Sequence, residues 1–368
     1  MQSILAWPPQ RLAMALQQRG LRATQARQAV NHVGKAIWHR GLDWPTATDG
    51  LGRQAKAALL ATAGDLPEMV LDRQLVDADG TRKLLLRLAD DQLIEAVIIP
   101  ASDGSRTTLC VSSQVGCGRR CVFCETGRLG LSRNLSAAEI TTQLLLAQRL
   151  WTQVAPGSPP ISNVVFMGMG EPLDNLEAVA DAVAVMTDDL AAGLAWRKVT
   201  VSTVGVAWKL PQFFASVRAN LAVSLNAPDD RRRAQWMPVN DRCDLAALKS
   251  AIVEHLPAGR EVLIEYILFG GHNDALADAG LLMKWLHGVP ARVNLIIANP
   301  GPDPTLGAPS QDCIWAFHKH LLDGGIRAMV RHPHGQQVGG ACGQLAARPA
   351  PPPLGQPTTT GNQAIANP

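Results

Sequence analysis

No stretch of the sequence approaches the roughly 18 consecutive apolar residues that a membrane helix requires. The opening residues, Met1 to Gln10, carry no basic n-region and are interrupted by Pro8-Pro9, so they do not read as a secretory leader. Cysteine is sparse: there are seven, three of them crowded together. That pattern lacks the regular pairing of a secreted disulfide scaffold and fits a reducing compartment where thiols serve metals and catalysis. A cytoplasmic protein with no membrane association is therefore expected. Excess charge is also scarce, with a net charge of +3 over 368 residues. What there is lies at one end: Met1 to Leu60 hold eight basic residues against Asp43 and Asp49. A basic segment on a near-neutral chain suits a polyanion such as RNA, because neutralising phosphates releases counterions. A solubilising helical surface would carry the same charge.

Periodicity divides the chain. Leu12 and Leu16, then Val30, Val33 and Ile37, recur at helical spacing, and a third helix is expected over Leu51 to Ala61. Residues 1–66 thus read as a small, basic helical accessory domain. Two apolar runs, Lys83 to Leu88 and Leu93 to Ile99, flank Ala89-Asp90-Asp91 and predict a β-hairpin, so 67–102 reads as a hairpin linker. From 103 to 347 strand-like runs alternate with helical ones. Strands are expected at 108–112, 163–167, 198–203, 221–225, 262–268 and 292–297, and helices start near Ser136, Leu176, Trp208, Leu245, Ala275 and Gln311. Repeated strand–helix units predict an α/β fold built as a parallel barrel or part of one, with its chemistry at the carboxyl ends of the strands. Residues 348–368, rich in proline and ending in polar runs, should be disordered.

The chemistry concentrates in Cys117-Gly118-Arg119-Arg120-Cys121-Val122-Phe123-Cys124. Thiolates are soft ligands suited to iron–sulfur clusters or zinc, and three of them leave one coordination position open. A structural zinc site needs a fourth ligand, usually from a distant Cys or His pair, and none stands out. After the second expected strand, Gly168-Met169-Gly170-Glu171-Pro172 lets backbone approach a ligand and offers a carboxylate to an ammonium group. Ser202, Ser224-Leu225-Asn226 and Asn299 fall at the same ends of later strands, where each could cap a turn or bind a polar ligand.

The x3-x2 cysteine spacing resembles the radical S-adenosylmethionine (SAM) enzymes, whose cysteines hold a 4Fe-4S cluster with one iron left for SAM. Three segments narrow the resemblance: Leu109 to Cys117, Phe166 to Pro172 and Gly340 to Ala346 are similar to the radical SAM RNA adenine methyltransferase family, over nearly the whole chain. The resemblance implies a partial (β/α)6 radical SAM barrel with a helical accessory domain. It implies cluster ligands Cys117, Cys121 and Cys124, and a SAM pocket of Gly170, Glu171, Ser202, Ser224, Leu225, Asn226 and Asn299. It further implies that Cys342 is methylated by one SAM, that a 5′-deoxyadenosyl radical from a second takes hydrogen from that methyl group, and that the resulting carbon radical adds to adenine C2 or C8. Cys110 would then resolve the covalent adduct through a Cys110–Cys342 disulfide, with Glu95 taking the ring proton. Implied partners are a ribosomal or transfer RNA substrate and an external electron donor such as a flavodoxin-type reductase system; the protein is expected to be a monomer.

From the residues alone, Cys110 and Cys342 have the alternative of being buried, inert thiols, as Cys243 and Cys313 are read to be, although Gly339, Gly340 and Gly343 favour a mobile loop for Cys342, and Glu95 reads first as a solvent-facing carboxylate. The chain also departs from the family pattern. Asn226 stands where a histidine is common, and Arg331-His332-Pro333-His334 replaces a more basic turn near the substrate side. Two other functions keep the same cysteine loop: a radical SAM methylase of a non-RNA substrate, and a non-catalytic iron–sulfur RNA-binding protein.

Overall fold

The helical periodicity of the first sixty residues becomes three helices in the computed structural model, which describes residues 1–346; the tail 348–368 lies outside the described residues. These are α1 (Pro9–Gln18), α2 (Ala23–Trp38) and α3 (Arg53–Leu60). Leu12, Leu16, Val30, Val33 and Ile37 are all buried, as their spacing requires. Arg19, Arg22, Arg27, Lys35, Arg40 and Arg53 face outward, so the basic excess lies on the surface.

The chain then builds one ten-stranded sheet. Three antiparallel strands open it: β1 (Met69–Val76), β2 (Arg82–Leu88) and β3 (Leu93–Pro100). β4 (Thr107–Cys110) pairs antiparallel with β3. Next come β5 (Gln114–Cys117), α4 (Glu125–Leu129), β6 (Gly130–Asn134) and α5 (Ala137–Val154), then β7 (Ile161–Phe166) and α6 (Leu176–Thr187). They are followed by β8 (Val199–Thr203), α7 (Leu210–Ser216), β9 (Asn220–Ser224), α8 (Asp230–Trp236) and α9 (Leu245–His255). The series closes with β10 (Val262–Leu268), α10 (Leu276–Leu286), β11 (Ala291–Ile297), α11 (Gln311–Asp323) and β12 (Ala328–Arg331). From β4 through β7 to β12 all neighbours in the sheet are parallel, giving the α/β partial barrel.

The expected hairpin forms as β2 and β3, and β3 also pairs with β4 through Val97 and Cys110, so the hairpin extends the barrel sheet. Both its faces are covered, with Leu84, Leu85, Leu86, Ile94, Ala96, Val97 and Ile98 buried. β5 pairs with β6 as a small second sheet between β4 and the cysteine loop. β1 and β12 went unpredicted; both are partly exposed and carry no continuous apolar run to announce them.

Strand alternation places the site. On β10, Ile264 and Tyr266 face outward under the helices, where Tyr266 stacks on Phe317 of α11 at 5.6 Å. Glu265 and Ile267 therefore face into the barrel.

Candidate active site

Cys110 ends β4, and the chain beyond it is tightly specified. The amide of Gln143 on α5 closes a ring with Ser112, accepting from Ser112 N at 2.8 Å and donating to Ser112 O at 2.9 Å. The Ser112 hydroxyl donates to Glu95 O at 2.6 Å. Gly116, at φ 76°, passes so close to Gly130 O that a Cβ would lie 1.9 Å from it. Only glycine lets β5 and β6 deliver Cys117 to the loop. Phe123 leans on Phe269, and Phe269 on Trp236, with centroids 5.6 and 5.2 Å apart, walling the loop on one side.

Cys117, Cys121 and Cys124 line one cavity of about 140 Å3 at the carboxyl ends of the strands. Burial pushes the Cys117 thiol up to about 12, and raises those of Cys121 and Cys124 as well. Such thiols are poor nucleophiles by themselves, but a metal bound in the cavity would invert that balance and deprotonate them. Three soft thiolates that line one cavity and leave a coordination position open are a donor set that fits a 4Fe-4S cluster.

The opposite wall is the Gly168–Pro172 turn. Gly170, at φ 102°, sits where a Cβ would be 2.6 Å from Gln114 Cβ. Gln114 accepts from Glu171 N at 2.8 Å and donates to Asn134 Oδ1 at 2.7 Å, tying the turn to both small strands. Gly170→Ala is accordingly expected to destabilise the fold by about 2–4 kcal/mol, from left-handed strain and overpacking together. Denaturant unfolding checks this, and an unchanged midpoint would contradict it. Glu171 is buried in the cavity wall, its two oxygens accepting from Leu173 N at 3.0 Å and Val204 N at 2.8 Å. Burial raises its carboxyl to about 7 against these hydrogen bonds.

Ser202, Ser224 and Asn226 line the same cavity. Asn226 takes a positive φ of 59°, which asparagine tolerates better than most residues. Its amide oxygen accepts from Ile267 N at 3.0 Å, and its carbonyl accepts from Asn273 Nδ2 at 2.8 Å. Leu225 is not at the wall: it is fully buried, and its carbonyl accepts from Arg233 Nε at 3.3 Å. Asn299 borders a second, smaller cavity with Cys110, Arg331, His332 and His334.

Cys342 opens onto both cavities. It is exposed, and the space it is exposed to is enclosed enough that desolvation still raises its thiol. Burial pushes Cys110 further, to about 12, with the charge of Cys342 adding to the effect. All seven cysteines are free, so Cys110 and Cys342 face this space as separate thiols. The segment carrying Cys342 is tied down on three sides. Its Gly343 and Leu345 carbonyls accept from Glu125 N at 2.8 Å and Thr126 Oγ1 at 2.5 Å on α4, just past the last cluster cysteine. Asn299 Nδ2 donates to Cys342 O at 3.1 Å. On the third side, Glu95 is no surface carboxylate: it is 1% exposed and pairs with Lys83 at 3.1 Å. Glu95 accepts from Ala346 N at 3.0 Å, and Lys83 donates to Gly339 O at 3.3 Å, so the pair grips both ends of the segment.

Sequence reasoning missed Lys83, Glu265 and Gln114. Glu265 had a signal, as the single charged residue in the run Val262 to Leu268; Lys83 and Gln114 are ordinary polar residues at the starts of β2 and β5.

A partial parallel barrel whose carboxyl edge carries a three-cysteine loop and a Gly-Glu-Pro turn defines a radical SAM enzyme, and the sequence profile of the radical SAM superfamily matches residues 111–280. A solved radical SAM methyltransferase from Sphaerobacter thermophilus superposes with a TM-score of 0.82 at 34% identity, covering 95% of this chain and all of the other. The probable RNA methyltransferase sce1580 of Sorangium cellulosum is 52% identical over 81% of this chain and 73% of its own length. The dual-specificity RNA methyltransferases RlmN of Geotalea uraniireducens and Syntrophobacter fumaroxidans are 45% and 42% identical, over 76% and 89% of this chain and 79% and 93% of theirs. The chain belongs to the RlmN-type RNA methyltransferase family, and it is a SAM-dependent methyltransferase. No helix among the described residues is long and apolar enough to cross a membrane.

Proposed function

We propose that the enzyme methylates a ring carbon of an adenine in RNA, C2 or alternatively C8, through a methyl group carried on Cys342. The observation that carries this reading is that one thiol opens onto two cavities, one lined by the three cluster cysteines and the other by Cys110. Adenine C2 is an electrophilic carbon with no acidic proton and no lone pair, so polar methyl transfer from SAM does not reach it. A 4Fe-4S cluster and SAM, bound in the larger cavity, supply the methyl group and the radical chemistry that bypasses this difficulty.

The residues of the chain do the rest. Cys117, Cys121 and Cys124 hold the cluster, while Gly170, Glu171, Ser202, Ser224 and Asn226 surround the SAM site. Cys342 gives up its thiol proton on accepting the methyl group and then presents that carbon to the base. After the S-methyl group has given up a hydrogen atom and its carbon has bonded to the ring, the ring loses one electron to the external electron-transfer partner and its displaced hydrogen to Glu95 as a proton. Cys110, giving up its own thiol proton, attacks the Cys342 sulfur; the S–S bond forms as the C–S bond breaks, and the released carbon keeps that electron pair and takes a proton, which leaves it on the base as a methyl group. An external electron donor restores the reduced thiols and the reduced cluster. The exposed basic face of α1–α3 gives RNA phosphates a landing surface, and the protein works in the cytoplasm.

Removing the resolving thiol tests the sequence of events. Cys110→Ala is expected to accumulate a covalent protein–RNA adduct, visible as a nuclease-sensitive band shift in a denaturing gel, and sequencing the trapped RNA names the target. Free methylated RNA without any adduct would exclude resolution by Cys110.

A further inference from the structure

Glu265 lies on the wall of the cluster cavity without a part in the reaction described above. It is 2% exposed. One carboxyl oxygen accepts from Asn294 Nδ2 at 3.1 Å, and the other, Oε2, is buried without a hydrogen-bond partner. Glu171, in the same cavity, has both oxygens satisfied by backbone N–H groups. Leaving a buried carboxyl oxygen unpaired costs more than an ordinary hydrogen bond gains, so the fold keeps Glu265 at a cost its own contacts do not offset. The neighbours share the pattern. Glu265 is in register with Ser224 on β9 and Asn294 on β11, which puts three polar side chains side by side across the barrel interior. Asn294 Oδ1 is likewise buried and without a partner. The Arg331 guanidinium acts on Glu265 through space from β12, opposing the rise that burial causes.

We propose that Glu265 is a ligand-binding residue of this cavity, its free oxygen accepting an N–H or O–H from the bound molecule. The assignment rests on the reading of that molecule as SAM. SAM offers such donors in two halves: the ammonium of its methionine part, and the ribose hydroxyls and adenine amine of its nucleoside part.

Equilibrium titration of the anaerobically reconstituted protein with SAM, L-methionine and 5′-deoxyadenosine tests the assignment in wild type, Glu265→Gln and Glu265→Met. Glutamine keeps the shape and can still accept from Asn294, but it turns a donor toward the ligand where the free oxygen stood; methionine removes both acceptors. Both variants should bind SAM about tenfold or more weakly, the range expected for losing a hydrogen bond to a charged group. A parallel loss for methionine alone places the contact on the ammonium, and a loss for 5′-deoxyadenosine alone places it on the nucleoside half. Wild-type affinity for all three probes in both variants overturns the assignment and leaves the reading of the cavity standing. Failure of the wild type to bind SAM overturns that reading, and the assignment with it. Iron content and circular dichroism establish that the variants are folded. Should neither fold, difference infrared spectra of wild type and Glu171→Gln on adding SAM decide. A shifted carboxyl band that survives in Glu171→Gln supports Glu265, and its absence from both overturns the proposal.

Discussion

Replacing Cys342 by alanine is expected to abolish methylation of RNA and to leave the iron and sulfide content of the reconstituted protein unchanged. The first half follows from the proposed chemistry: with no thiol there is no carbon to present, and no other cysteine opens onto both cavities. The loss should be complete within detection, because a residue that carries the transferred atom has no weaker substitute. The second half separates two arrangements that share the same four thiols. Cys342 lines the cavity with Cys117, Cys121 and Cys124, so a closed cluster with four thiolate ligands is the competing picture, and it would lose iron when Cys342 is removed. Folding does not confuse the outcome, since the ties of the segment to α4 are made by the Gly343 and Leu345 carbonyls and survive the substitution. Incubation with methyl-labelled SAM gives a second readout, with label on the wild-type chain and none on Cys342→Ala. A variant that lost its cluster, or one that still methylated RNA, would exclude the carrier role.

Much of this was legible in the residues, for reasons that differ from element to element. The barrel strands announced themselves because parallel strands covered by helices are apolar along their length, and the run Val262 to Leu268 became β10 residue for residue. Cys117, Cys121 and Cys124 are close in sequence, so their spacing alone was informative. Pairings across the chain were not legible. Lys83 and Ala346 both meet Glu95, yet nothing local in a hairpin predicts that its lysine and glutamate will hold a segment some 250 positions away, as the sequence separation of the Glu95–Ala346 contact records. Glu95 itself could be read from composition as a surface carboxylate, and its burial comes from β3 joining the barrel sheet. Leu225 went the other way: it stands in a polar ligand motif, but it follows the last residue of β9 and is fully buried, away from the cavity that Ser224 lines.

The Lys83–Glu95 pair carries the second large effect. With side chains 10% and 1% exposed, it is buried, and removing one member of a buried pair costs about 3–5 kcal/mol because the other charge is left desolvated and alone. In Lys83→Met the stranded group is Glu95, whose other contact is the backbone of Ala346. The least costly relief is for the segment 335–346 to lift so that water reaches the carboxylate, since local opening requires less free energy than unfolding the sheet. Amide hydrogen exchange should therefore show protection lost across 335–346 and kept on β2 and β3. Loading of the methyl group onto Cys342 should slow by about a hundredfold as the thiol spends less time over the cavity. Lys83→Arg restores a cation at the same place and should recover part of both. The double variant Lys83→Met with Glu95→Gln removes the stranded charge, so it should regain protection of the segment, yet still fail at the step where Glu95 is proposed to take the ring proton. That split between docking and turnover distinguishes a pair that positions the segment from one that merely stabilises the fold, and wild-type exchange rates in Lys83→Met would exclude it.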